Sequence, residues 1–120
     1  LLLAQEGLAV GVVNARFAKP VDVELFVRLA AESPVVLTVE DHQRMGGFGS
    51  AVLEAVSDAG GHAERVVNLG VGDHFVEHGN REILLGLVDL HPEGIARRFR
   101  VALAARTDRA PAALANPILR

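Results

Sequence analysis

The chain has 120 residues, half of them hydrophobic, with five histidines, no cysteine and a formal net charge of −3. That is the size of one small domain with enough apolar matter for a packed core. Missing cysteine excludes disulfides, thiolate metal sites and cysteine nucleophiles and fits a cytoplasmic protein. The acidic balance argues against nucleic acid as a partner, and no apolar run is long enough to span a membrane.

The average hides an asymmetry. From Arg97 onward there are six arginines and a single acid, Asp108, a balance of +5 that leaves −8 on residues 1–96. The expected organisation is a domain over 1–100 followed by a basic, Ala/Pro-rich tail over 101–120. The first part of that tail can continue a helix, and its end reads as disordered.

The chain opens on Leu1-Leu2-Leu3-Ala4-Gln5-Glu6-Gly7 with no methionine, no charged region before the leucines and no small-residue cleavage site after them. It does not read as a signal peptide. It reads as the last turns of a helix stopped by Gly7, so the sequence is expected to begin inside a domain. Leu8 to Ala15, LAVGVVNA, is apolar and β-branched, as a buried strand would be. Asp22 is a good N-cap and Glu24 suits the first turn of a helix over about 23–31, which Ser33-Pro34 ends. Val35 to Val39 is the next strand. A glycine loop then leads into a helix over about 49–59, with Phe48, Val52, Val56 and Ala59 at helical spacing and Gly60-Gly61 as the stop. Arg65 to Leu69 is a third strand, GVGDHFVEHGN a loop, and Asn80 the cap of a helix carrying Ile83, Leu84 and Leu87. Pro92 suits the first turn of a last helix. Strands alternating with helices predict an α/β fold, a three-layer α/β/α arrangement on a mostly parallel sheet. Ligands in such sheets bind at the carboxyl ends of strands, where Glu40, Asp41 and the glycine loop fall.

Each motif there has two readings. Backbone N–H groups of Gly46-Gly47-Phe48-Gly49 at a helix start could hold an anion. Equally, the glycines could let a tight turn pack closely, since the loop matches neither the P-loop nor the G-x-G-x-x-G fingerprint, Val52 standing where the third glycine would be. His74 and His78 share a face only if they lie on a helix, and the order of HFVEH is wrong for the metalloprotease motif. Glu40 and Asp41 are adjacent on a strand exit, so their side chains diverge. Capping the loop or pairing with an arginine suits them better than general acid/base work. Ser33, Ser50 and Ser57 have no nucleophile-elbow context. No catalytic, cofactor-binding or metal-binding residue is assigned from these patterns.

VVNARFAKPVD, TVEDHQRMGGFGSAVLEA and GVGDHFVEHGNRE together, in this order and spacing, resemble the C-terminal, transketolase C-terminal-like domain of bacterial 1-deoxy-D-xylulose-5-phosphate synthase. The resemblance covers about residues 6–100. It implies thiamine-diphosphate enzymes that join pyruvate and D-glyceraldehyde 3-phosphate with release of carbon dioxide, feeding isoprenoid, thiamine and pyridoxal phosphate synthesis. Thiamine diphosphate and Mg²⁺ would be held by two preceding domains, none of the catalytic residues maps onto these positions, and no cofactor is expected on this segment. The domain would buttress those two domains and help a homodimer form. Two residues depart from the pattern: Gly72 stands where proline is usual, and Asp89 where a glycine closes a helix. The family's sheet has five strands, and the first two would lie upstream of Leu1. One of them is central, between the strands read at 8–15 and 35–39, so the sheet is expected either to close up or to leave a gap. The rival readings are the C-terminal domain of a 2-oxo acid dehydrogenase β subunit and a free-standing interaction module.

Overall fold

The computed structural model describes residues 2–107. In chain order these form α1 (Leu2–Gln5), α2 (Val23–Glu32), β1 (Val36–Gln43), α3 (Phe48–Asp58), a 3-10 turn (Ala63–Arg65), β2 (Val66–Val71), α4 (Arg81–Leu87) and α5 (Pro92–Thr107).

Local chemistry accounts for most helix ends. The Asp22 carboxylate accepts from the Leu25 N–H at 3.1 Å and starts α2. At the other end the Arg65 guanidinium donates to the carbonyls of Ala30 and Ala31 at 3.1 and 2.9 Å, a cation placed on orphaned acceptors at a helix C-terminus. Asn80 caps α4 by accepting from the Glu82 N–H at 2.9 Å. After α4 the chain turns at Asp89, which has φ of 60°. This is the position read as a glycine site, and aspartate tolerates the left-handed region better than most residues. Its carboxylate is ion-paired with Arg97 in α5. That hydrogen bond, with the arginine's charge, holds the Asp89 carboxyl below its usual range against a smaller opposing effect of desolvation.

The two strands run parallel, with Val36, Leu37, Thr38 and Val39 opposite Val66, Val67, Asn68 and Leu69. The register then shifts, so Gln43 pairs with Val71, a bulge that carries β1 beyond the expected end at Val39. Alternation along β2 turns Val66 and Asn68 toward α3 and Leu69 to the other face. On the α3 side Phe26, Ala30, Val52, Val56 and Val66 form one buried cluster, joined by Phe48 and Leu53. Val52 and Val56 are fully buried, each a gain of about 1.5–3 kcal/mol over exposure. Phe26 and Phe48 meet edge-on with ring centroids 5.8 Å apart, locking the first turns of α2 and α3 together. α5 packs against β2, burying Ala96 and Ala102, and α1 packs on α5. Helix, sheet and helix give an α/β fold around a parallel sheet, as the alternating pattern predicts.

Two expectations need correcting. Residues 8–15 belong to no helix or strand, and among the described residues the sheet has two strands. A strand exists only through a ladder, and no neighbour pairs with this segment. Val12 is 92% exposed there. The boundary drawn at 100/101 falls inside α5, which runs unbroken to Thr107. The rest of the expected disordered tail, 108–120, lies outside the described residues. No helix among those residues is long and apolar enough to cross a membrane.

Candidate functional site at the carboxyl end of the sheet

β1 bulges after Val39, around Glu40, and ends at Gln43, and the chain then returns through the glycines to start α3. Gly46 has φ of 70°, which lets the loop reverse. Gly47 and Gly49 are buried and needed for space rather than for dihedral freedom. A Cβ on Gly49 would lie 2.5 Å from Thr38 Oγ1 and 2.7 Å from Asn68 Cγ. One on Gly47 would collide with the Glu40 carboxylate and the Gln43 carbonyl. Close approach of helix start and strand is therefore the geometry that glycine permits. Behind it, the Thr38 hydroxyl donates to Asn68 Oδ1 at 3.0 Å, satisfying the buried threonine across the two strands.

The start of α3 does hold an anion, and it is the protein's own. The backbone N–H groups of Phe48 and Gly49 donate to Glu40 Oε2 and Oε1 at 2.7 and 2.9 Å. One carboxylate thus satisfies two of the helix's orphaned donors and sits at the positive end of its dipole. The Ser50 hydroxyl donates to the Arg44 carbonyl at 2.8 Å and accepts from the Gly46 N–H at 3.2 Å, pinning the loop. Both readings of the glycine loop meet here: the turn is packed tightly, and its donors are spent on a side chain eight residues earlier.

Asp41 points elsewhere, to Arg81 at 2.6 Å, tying the end of β1 to the start of α4. The adjacent acids diverge into a cap and an ion pair, the two roles favoured from sequence. Gln43 Nε2 donates to the Gly72 carbonyl at 2.9 Å, which brings the 72–80 loop to the same end. Gly72 lies under the His74 ring, and a Cβ there would be 2.9 Å from the imidazole. His74 and His78 lie on this loop, not on a helix, and are exposed. No group of three or more His, Asp or Glu side chains among the described residues is placed to hold a metal ion. Arg65 as the cap of α2 had no local sequence signal, since its partners lie more than thirty residues away.

A family model described as the transketolase C-terminal domain matches residues 1–95. A 1-deoxy-D-xylulose-5-phosphate synthase of Gloeobacter violaceus is 50% identical over 112 residues, covering 93% of this chain and 17% of that protein. The Aquifex aeolicus synthase is 50% identical over 101 residues, covering 84% of this chain and 16% of its own length. The chain thus spans about a sixth of these relatives. Among solved structures, a split-gene transketolase described as an inactive β4 tetramer superposes with a TM-score of 0.75 at 35% identity, over 88% of this chain and 34% of that one. A family pattern followed along most of the chain, and relatives identical at half the aligned positions, have one meaning: the chain belongs to the transketolase C-terminal domain family.

Proposed function

We propose that this chain serves as the C-terminal packing and association domain of a 1-deoxy-D-xylulose-5-phosphate synthase. In that enzyme, thiamine diphosphate and Mg²⁺, held by the rest of the protein, support the joining of pyruvate to D-glyceraldehyde 3-phosphate with loss of carbon dioxide. The reaction belongs to the whole enzyme, a cytoplasmic homodimeric transferase on this reading, and this segment contributes shape rather than chemistry. The observation that carries the reading is the Glu40 carboxylate seated on the α3 donors. The position where an α/β sheet would offer a phosphate site is filled by an internal contact, while the synthases supply the family context. The neighbouring structure's description, a β4 tetramer from a split gene, favours self-association as part of the role. It also keeps open a second arrangement, in which the domain sits on a separately encoded subunit.

A chimera tests this. The matched region of the Gloeobacter violaceus synthase is replaced by this chain, and the same enzyme lacking the region serves as control. The chimera is expected to turn over pyruvate and D-glyceraldehyde 3-phosphate and the deletion is expected not to. A folded chimera without turnover, or a fully active deletion, overturns the reading. On the isolated chain, calorimetry is expected to detect no thiamine diphosphate binding.

A further inference from the structure

At the amino end of the sheet, away from the glycine loop, the end of α2, the turn before β2 and the last turn of α5 surround a cavity of about 460 Å³. Its lining is Glu32, Ser33, Pro34, Glu64, Arg65 and Arg106. The volume falls in the range of small-molecule sites, about 300–1,000 Å³. Two of the charged residues hold the fold. Arg65 caps α2 through Nη1, and Glu64 lies 3.0 Å from His62 Nδ1 and 3.9 Å from Arg65 Nε. The other two do not. The side chains of Glu32 and Arg106 make no ion pair or hydrogen bond among the described residues, and neither does the Ser33 hydroxyl.

Both free charges sit against local rules. Glu32 is the last residue of α2, where the helix dipole favours a cation. Arg106 is half-buried, and its guanidinium has no counter-charge. Positions that break a local rule without a structural return are where function is expected. The charges also define what fits between them. The lining carries two carboxylates and two guanidiniums and is neutral as a whole. A lone phosphate would face both carboxylates. A metal cation would face both guanidiniums, and no group of three or more His, Asp or Glu side chains among the described residues is placed to hold one. A molecule carrying an anion and a cation a few bonds apart meets neither penalty. The guanidinium fork matches a carboxylate, the serine hydroxyl can donate to the same group, and Glu32 can accept from an ammonium.

We propose that this cavity is a binding site for a free α-amino acid, with the ligand's carboxylate on Arg106 and the Ser33 hydroxyl and its ammonium on Glu32. The site lies at the opposite end of the sheet from Glu40 and stands apart from the synthase reading.

Heteronuclear NMR on the 120-residue chain tests it. The proteinogenic amino acids are titrated one at a time, with acetate and methylamine, the two half-ligands, as controls. At least one amino acid is expected to shift the amide signals of Ser33, Glu64, Arg65 and Arg106 saturably, and neither half-ligand is expected to do so at the same concentration. Glu32→Gln and Arg106→Gln are each expected to weaken that binding roughly tenfold or more, with circular dichroism showing the chain folded. A chain that no amino acid shifts saturably overturns the proposal, as does binding that both variants leave unchanged or a half-ligand that binds as tightly. The unliganded chain supplies a second measurement. The effects of Glu32→Gln and Arg106→Gln on thermal unfolding are expected to add in the double variant. Coupling between them would mean that the two side chains pair with each other in solution, and the proposal would fall with the free charges. None of these readouts uses the synthase reaction, so an inactive chimera would count against the enzyme assignment alone.

Discussion

Gly46, Gly47 and Gly49 lie within four positions of one another and meet different demands. Gly46 needs a left-handed backbone with open space around it, whereas Gly49 needs the volume of a missing methyl group between Thr38 and Asn68. The two demands separate under substitution. Gly46→Ala is expected to cost roughly 1–2 kcal/mol through its dihedral alone, and Gly46→Asn clearly less. Gly49→Ala is expected to cost about 1–3 kcal/mol as an overpacked contact, and Gly49→Asn more than Gly49→Ala, since a larger side chain aggravates a clash. Urea unfolding of the four variants checks this. Equal penalties for Asn and Ala at both positions would show that the distinction between dihedral and space is wrong.

At the scale of elements, Glu40 joins the end of a strand to the start of a helix. Glu40→Ala is expected to lower unfolding stability by about 1–2 kcal/mol, within the range for losing a side-chain N-cap. Glu40→Gln keeps one acceptor oxygen and is expected to recover part of that. A neutral Glu40→Ala in thermal or urea unfolding would mean that water replaces the carboxylate without loss. The elements most legible in the sequence were those with local punctuation. Asp22 and Asn80 marked the starts of α2 and α4, and Pro92 the start of α5, within a residue or so. Strand β1 was legible up to Val39, and its extension to Gln43 was not, because a bulge depends on how the neighbouring strand pairs. The same limit explains residues 8–15. Their apolar, β-branched composition favours a strand, but pairing lies in another part of space and leaves no trace in local sequence. In the candidate site, the divergence of Glu40 and Asp41 followed from their adjacency on a strand exit. The choice of Phe48, Gly49 and Arg81 as their partners required the fold.

For the molecule as a whole, the basic end and the acidic body are tied by a contact spanning the chain. The Arg100 guanidinium donates to both oxygens of Glu6, holding α1 against α5. The hydrogen bond from Arg100 chiefly lowers the Glu6 carboxyl from its usual range, desolvation opposes this, and the arginine's charge adds to the lowering. A depressed folded-state pKa means that the unfolded chain binds the proton more readily. The contribution is therefore present above the unfolded carboxylate's pKa of about 4.3 and is lost as pH falls through the lower, folded value. The melting difference between wild type and Glu6→Gln is expected to be small, as both groups are solvent-exposed, and constant from neutral pH down to roughly pH 5. It is expected to shrink toward zero under more acidic conditions. A difference that grows on acidification would reverse the assignment.

The stretch from Leu8 to Ala15, in no helix or strand, has a consequence for how the chain survives in a protease-containing solution. Among the described residues, the amides of Val10, Val12 and Val13 have no backbone hydrogen-bond partner, so reaching the extended shape a protease cleft requires breaks no ladder there. Thermolysin, which cuts before bulky apolar residues, should nick the native chain first beside these valines, leaving a core fragment that begins near Asn14 and still carries α2, both strands and α5. Mass spectrometry of a short digest reads the cut directly. Binding of a neighbour that supplies a strand to this segment would be seen in the same digest as silence at those bonds, which makes the first cleavage site a reporter of whether the sheet has been completed.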